Sequence, residues 1–379
     1  MSFSQYRPQA LAEPTEALLA FQQLLEPCND ATLENLARRS SAITRRYFGK
    51  TMRLFAPLYL SNECINNCAY CGFSRDNPIL RVTLDVEQMA LEAEHLAREG
   101  FRNILVVAGE HPKFVSNGYL ERCVKRLTLD FPSVALEVAP MEVNDYCSLS
   151  NAGAEGLIVY QETYDHEAYQ EHHTAGPKKD FNWRMDTPER AYQGGFRRLG
   201  IGVLFGLSDW KKEATALAAH LFYLQRHCWQ AQLSVSLPRL RPAASGFKPR
   251  YDFNDRNLTQ LLCALRVTFP NIQLVMSTRE SAELRDALAP LGVTMMSAGS
   301  HTEPGGYTGQ GQDQLHHTVK GKSVALSQKA TKATEQFEIS DDRSPEEVAE
   351  HLALLGLEPV WKDWDAEILR ENRPLACES

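Results

Sequence analysis

The 379-residue sequence has no run of 18 or more apolar residues, no excess of basic charge and no second CxxC pair. Each absence removes a class of function. Without a long apolar run there is no membrane-spanning helix to read. The N-terminus, Met-Ser-Phe-Ser-Gln-Tyr-Arg, lacks the basic-then-apolar layout of a signal peptide, so a cytoplasmic location is expected. A formal net charge of -8 leaves no overall basic footprint for nucleic acid. Neither nucleic acid nor membrane is therefore expected as a partner, and a small-molecule substrate is. Nine cysteines in a cytoplasmic chain read as thiols or metal ligands rather than disulfides. Six of them, Cys28, Cys123, Cys147, Cys228, Cys263 and Cys377, stand singly and read as buried filler.

The other three lie together, Cys64, Cys68 and Cys71, in Ser-Asn-Glu-Cys-Ile-Asn-Asn-Cys-Ala-Tyr-Cys-Gly-Phe. Three thiolates hold three corners of a four-iron cluster that usually takes four cysteines. One iron then keeps an open position for a substrate or cofactor. A structural zinc or simple core packing are the alternatives. Zinc sites usually pair CxxC with a distant second pair, which is missing here, and Asn66 and Asn67 between the cysteines are too polar for a core.

Residues 1–50 read as a helical extension, with Leu18, Leu19, Phe21, Leu24 and Leu25 on one face and a second amphipathic stretch from Ala31 to Phe48. From Met52 onward eight short apolar runs alternate with helical patterns: Leu54 to Leu60, Asn103 to Val107, Val134 to Ala139, Gly156 to Tyr160, Ile201 to Phe205, Leu233 to Leu237, Ile272 to Met276 and Val293 to Met296. They lack strict alternation, as parallel strands covered on both faces do. This rhythm predicts an α/β fold, a (βα)8 TIM-type barrel over residues 51–300, with a doubly wound open sheet as the alternative. Residues 301–379 read as a C-terminal loop and helical cap. Within them Gly305 to Gln336 has little hydrophobic content and reads as a flexible loop holding His316 and His317, followed by a helix from Pro345 to Leu355.

In a parallel barrel, ligand groups sit at the carboxyl ends of strands, and the cysteine run directly follows the first strand. Gly109-Glu110 follows the second, where glycine permits close backbone approach and the carboxylate can accept from an ammonium. The fourth strand ends in Tyr160-Gln161-Glu162-Thr163-Tyr164. Arg239, Arg241 and Arg279 stand at the ends of later strands and need anionic partners, for which an amino-acid carboxylate is a natural choice.

The CxxxCxxC spacing with Tyr70 before the last cysteine resembles the signature of the radical S-adenosylmethionine enzymes. That resemblance implies a [4Fe-4S] cluster on Cys64, Cys68 and Cys71, with S-adenosylmethionine on the open iron. By the same resemblance, Tyr70, Gly109, Glu110, Glu162 and Arg184 bind this cofactor: Glu110 its amino group, Arg184 its carboxylate and Glu162 its ribose.

Further segments, among them Pro57 to Asn62, Tyr160 to Tyr164, Pro238 to Pro242, Ser277 to Ser281, Pro304 to Tyr307 and Val360 to Asp365, resemble the tyrosine lyases of bacterial thiamine biosynthesis. The reaction implied is loss of a hydrogen atom from the amino nitrogen of L-tyrosine and cleavage of Cα–Cβ to 2-iminoacetate and p-cresol. Attack at nitrogen requires a neutral amine in a dry pocket. Arg279 and Ser297 are expected to fix the tyrosine carboxylate. The implied partners are a low-potential electron donor of flavodoxin or ferredoxin type and a thiazole synthase. Biotin-synthase-like sulfur insertion needs further cysteines facing the lumen, and Cys123, Cys147, Cys228 and Cys263 fall in helical stretches instead. Another radical lyase of aromatic amino acids and a non-catalytic metal-binding scaffold are the competing readings.

Overall fold

Each of the eight apolar runs forms a strand. In a computed structural model, which describes residues 1–325 and 331–361, they are β1 (Thr51–Ser61), β2 (Asn103–Ala108), β3 (Ser133–Glu137), β4 (Gly156–Glu162), β5 (Arg198–Val203), β6 (Gln232–Ser236), β7 (Gln273–Met276) and β8 (Met295–Ser297). All neighbours pair in parallel, and β8 pairs back onto β1 through Met295 with Arg53, Met296 with Leu54 and Ser297 with Phe55. That pairing closes the sheet into a (βα)8 barrel and removes the open-sheet alternative.

The helices carry the caps and stripes that chain-reversing elements need. Asp85 caps Val86–Arg98 through a capping box with Gln88, Ser116 caps Asn117–Leu127, and Asp209 accepts from two backbone N–H groups of Trp210–His227. Their apolar faces, with Leu120, Val124, Leu217, Leu221 and Leu261 fully buried, meet the outward side chains of the strands in one continuous core. The helices hold Cys123, Cys147 and Cys263, and Cys228 caps Trp210–His227, so none of the four sits on a barrel strand. Cys377 lies outside the described residues.

The N-terminal extension is three helices, Phe3–Ala12, Glu16–Leu24 and Asp30–Phe48, wrapped on the outside against Trp210–His227 and Asp255–Thr268. Phe3 stacks on His220 with ring centroids 4.0 Å apart. Leu18, Phe21 and Leu25 are buried, whereas Leu19, placed on the same face by the sequence, is exposed.

The segment from Gly305 to Gln336 is not a structureless loop. His316–Val319 and Lys322–Val324 form a hairpin whose first strand pairs antiparallel with Ile79–Arg81, just beyond the cysteine run. After the undescribed residues 326–330 the chain runs as a strap over the carboxyl ends of the strands. Its backbone bonds tie Gln336 to Gly72 and Thr302, Glu338 to Pro242, and Ser340 and Asp341 to Thr278. Polar residues suffice because backbone groups, not apolar side chains, make the attachment. The helix Pro345–Leu354 follows, and Glu358–Val360 then pairs with Thr51–Arg53 of β1. Trp361 sets its ring edge-on to Phe101, while Lys362 to Asp365 lie outside the described residues.

Candidate active site

The cysteine run leaves β1 at the carboxyl end of the barrel and is held by a buried guanidinium. Arg81 donates to the carbonyls of Asn62, of Phe73 at 3.0 Å and of Ser74 at 2.8 Å, and to the Thr318 hydroxyl at 2.7 Å. It thereby clamps both ends of the loop. Asn77 donates to the carbonyls of Cys71 and Gly72. Cys64 and Cys71 border an apolar layer of Phe55, Tyr59, Phe73 and Leu105, and Cys68 packs with Tyr70, Leu204 and Leu207. Burial pushes the Cys68 and Cys71 thiols up, and ligation to metal is what draws such protons off. Among the described residues no three His, Cys, Asp or Glu side chains close on a single ion. Three soft donors spread round an apolar-walled loop suit a sulfide-bridged iron cluster better than one zinc. His316 does not join them; its Nε2 lies 2.8 Å from the Glu63 carboxylate.

The end of β2 presses against this loop. A Cβ on Gly109 would lie 2.3 Å from the Glu63 carbonyl oxygen and 3.4 Å from Cys64 Cβ, so only glycine fits. Glu110 is tied to the same loop twice, accepting from Asn66 Nδ2 at 2.6 Å through its carboxylate and from the Ile65 N–H at 2.8 Å through its carbonyl.

Across the mouth, β4 ends in a charged cluster. Glu162 has φ 71°, the left-handed region that non-glycine residues rarely adopt and that concentrates at functional sites; there β4 slips its register with β5. Lys178 Nζ lies 2.6 Å and an Arg184 nitrogen 3.5 Å from Glu162 Oε1, and Arg184 Nε donates to the Tyr160 carbonyl at 2.7 Å. Burial opposes the Glu162 charge, but Lys178 and Arg184 outweigh it and hold its carboxyl below the ordinary value. Tyr70 is buried beside this cluster, with Lys178 Nζ 5.7 Å from its ring centroid. Burial pushes His173 down to about 3, so it is neutral. Its Nδ1 donates to the Tyr169 carbonyl, which leaves Nε2, 2.8 Å away, to accept from the Tyr70 hydroxyl. Gly202, on β5, faces Tyr160 and the Ser236 carbonyl within 2.7 Å of where a Cβ would be; its smallness serves packing inside the barrel.

Beneath the strap lies a cavity of about 670 Å³, its open mouth included, lined by Arg279 and Ser297 and walled by Tyr59, Leu105, Val107, Tyr160 and Met276. The Arg279 guanidinium stacks on Phe337 of the strap, 3.3 Å from the ring centroid. Among the described residues no carboxylate forms an ion pair with it. The Ser297 hydroxyl oxygen accepts from the Thr278 N–H at 3.1 Å, leaving its proton to donate. Arg239 does not join them: it is bound by Glu280 and, at 2.7 Å, by Asp255, so its anionic partners are internal.

The sequence reading missed four contributors. Lys178 and Asn66 brace the two carboxylates, Gln336 accepts from the Tyr59 hydroxyl at 2.7 Å, and Glu137, ending β3, lines the cavity. Only Glu137 had a legible signal, its position at a strand's carboxyl end.

Residues 58–218 match the radical SAM superfamily and residues 236–358 the biotin and thiamin synthesis associated domain. The chain is 42% identical over 353 residues to the 2-iminoacetate synthase of Escherichia coli (strain K12), covering 93% of this chain and 88% of that protein. The chain belongs to the 2-iminoacetate synthase family. The Salmonella typhimurium 2-iminoacetate synthase is 40% identical over 92% of this chain and 88% of its own length. Among solved structures, the FeFe-hydrogenase maturase HydG from Carboxydothermus hydrogenoformans superposes with a TM-score of 0.82 at 32% identity, covering 95% of this chain and 80% of that one. Methylornithine synthase, TM-score 0.70 at 20% identity over 93% and 97%, shares the fold. As a radical SAM enzyme, a member of the 2-iminoacetate synthase family works with a [4Fe-4S] cluster and S-adenosylmethionine.

Proposed function

We infer that this chain is a carbon–carbon lyase that cleaves Cα–Cβ of L-tyrosine to 2-iminoacetate and p-cresol for thiamine thiazole biosynthesis. The observation that carries the reading is the joining, at one barrel mouth, of the three-thiol loop with a largely apolar cavity whose Arg279 forms an ion pair with no carboxylate among the described residues. When bound, the cluster and S-adenosylmethionine would supply a 5'-deoxyadenosyl radical with release of methionine, the radical becoming 5'-deoxyadenosine once it has taken a hydrogen atom from the substrate.

The chain's own residues do the rest by binding and positioning. Cys64, Cys68 and Cys71 hold the cluster. Glu110 receives the methionyl amino group, Arg184 its carboxylate and Glu162 the ribose hydroxyls, with Gly109 allowing close approach and Tyr70 closing the side. Arg279, a planar two-pronged donor, grips the tyrosine carboxylate with Ser297, and the apolar wall excludes water from the reacting amine. A flavodoxin- or ferredoxin-type donor supplies the electron, and a thiazole synthase in the same cytoplasm consumes the unstable imine; cysteine usage and the family resemblance support these last points. Anaerobic incubation with S-adenosylmethionine, reductant and tyrosine is expected to yield p-cresol. A fully loaded protein that forms 5'-deoxyadenosine but no p-cresol overturns the substrate assignment, and a colourless zinc-loaded protein overturns the catalytic one.

A further inference from the structure

Tyrosine enters as an ammonium, whereas the reading above needs a neutral amine, so a proton must go somewhere. Glu137 is the carboxylate placed to receive it. It ends β3, on the opposite side of the barrel from β7, and lines the same cavity as Arg279 and Ser297. Among the described residues no hydrogen bond or ion pair reaches its side chain. The charged cluster at the end of β4 is internally paired, Arg239 is paired with Glu280, and Arg279 stacks on Phe337. A cavity-facing carboxylate without a partner is a group held for a ligand.

We propose that Glu137 is a catalytic base, accepting one proton from the ammonium of the tyrosine that Arg279 and Ser297 hold by its carboxylate. The N–H bond breaks with its electron pair staying on nitrogen, and the proton bonds to a Glu137 carboxylate oxygen. No oxidant or reductant takes part. Transfer removes two opposite charges from a dry cavity at once, which burial favours because each charged form alone is penalised there. The groups facing Glu137 tune it. Burial pushes its carboxyl up to about 7; Arg279 from β7 and Arg184 and Lys178 from the connection after β4 draw it down, and Glu162 pushes it up. Tyr59 and Tyr160 complete the surround. A carboxyl poised near neutrality both takes and returns a proton.

The inference rests on tyrosine as substrate, and its test separates the two. Binding of tyrosine, phenylalanine and 3-(4-hydroxyphenyl)propanoate is measured by anaerobic calorimetry on the cluster-loaded protein and on Glu137→Gln. Loss of a charge-assisted bond weakens tyrosine and phenylalanine by about tenfold or more, while the propanoate, lacking an amine, binds as before. Turnover of Glu137→Gln falls by about 100-fold at pH 7 and recovers as rising pH deprotonates the amine. Equal effects on all three ligands, or on only the two phenols, overturn the proposal. Where iron content shows that Glu137→Gln has lost its cluster, Glu137→Asp decides: it keeps the base on a shorter arm, and selective weakening of the two amine ligands supports the proposal while unchanged binding of all three overturns it. Absence of p-cresol from the unaltered enzyme sinks the substrate reading instead, and the three binding arms still report which end of the ligand Glu137 meets.

Discussion

Replacing Arg81 by leucine isolates what holds the cysteine loop. The guanidinium is buried and makes four hydrogen bonds, three of them to carbonyls that flank the triad: Asn62 before Cys64, and Phe73 and Ser74 after Cys71. Leucine fills part of the space and donates nothing. Three buried acceptors left unpaired at about 1–3 kcal/mol each sum to roughly 3–9 kcal/mol. Against this, burial opposes the arginine's charge, and no carboxylate forms an ion pair with it among the described residues. Relief of that desolvation offsets several kcal/mol, for a net loss of about 3 kcal/mol. The loss falls on one loop, so the barrel stays folded while the closed-to-open ratio of residues 62–74 drops by about 100-fold. Hydrogen exchange of that segment and iron and sulfide content after reconstitution are the readouts. Fast exchange and a poorly filled cluster are expected. Full iron content with unchanged exchange in Arg81→Leu would refute the clamp.

Arg279→Ala is expected to raise the Michaelis constant for tyrosine by at least about tenfold, as loss of a charge-assisted bond implies, with formation of 5'-deoxyadenosine in the absence of tyrosine unchanged; an unaltered Michaelis constant contradicts the carboxylate grip. The strap is anchored by Asp341, which meets Arg285 with both side chains fully buried and Arg343 at 2.7 Å. Burial opposes the Asp341 charge, but Arg343 and Arg285 outweigh it and hold its carboxyl below the ordinary value. The stabilisation is therefore complete above the unfolded carboxylate value of about 3.9 and is lost as pH falls through the lower folded value. Asp341→Asn leaves Arg285 unpaired, lowers stability by about 3–5 kcal/mol near neutrality and flattens that acid limb, which thermal melts across pH 2 to 7 read directly.

Strands announced themselves and crossings did not. Each of the eight runs lies within a residue or a few of its strand because a strand buried on both faces must be apolar whatever it neighbours. Closure of the barrel rests on three residue pairs between β8 and β1, which alternation alone does not carry. The cysteine run was legible because cluster chemistry fixes both residue type and spacing. The strap was not, since it binds by backbone hydrogen bonds that leave no apolar period. Arg239 misled for a related reason: its partner Glu280 lies 41 positions away, and only the fold brings β6 and β7 side by side. Lone groups such as Glu137 acquire meaning from what surrounds them, here a cavity that no sequence pattern outlines.

The central claim is that this chain takes a hydrogen atom from the amine of tyrosine. Only hydrogens on nitrogen and oxygen exchange with solvent, so the reaction run in deuterium oxide with S-adenosylmethionine, reductant and tyrosine marks the source of that atom. Mass spectrometry of the 5'-deoxyadenosine is expected to show one deuterium, formed together with an equal amount of p-cresol. Unlabelled 5'-deoxyadenosine would place the abstraction on a carbon and contradict the account.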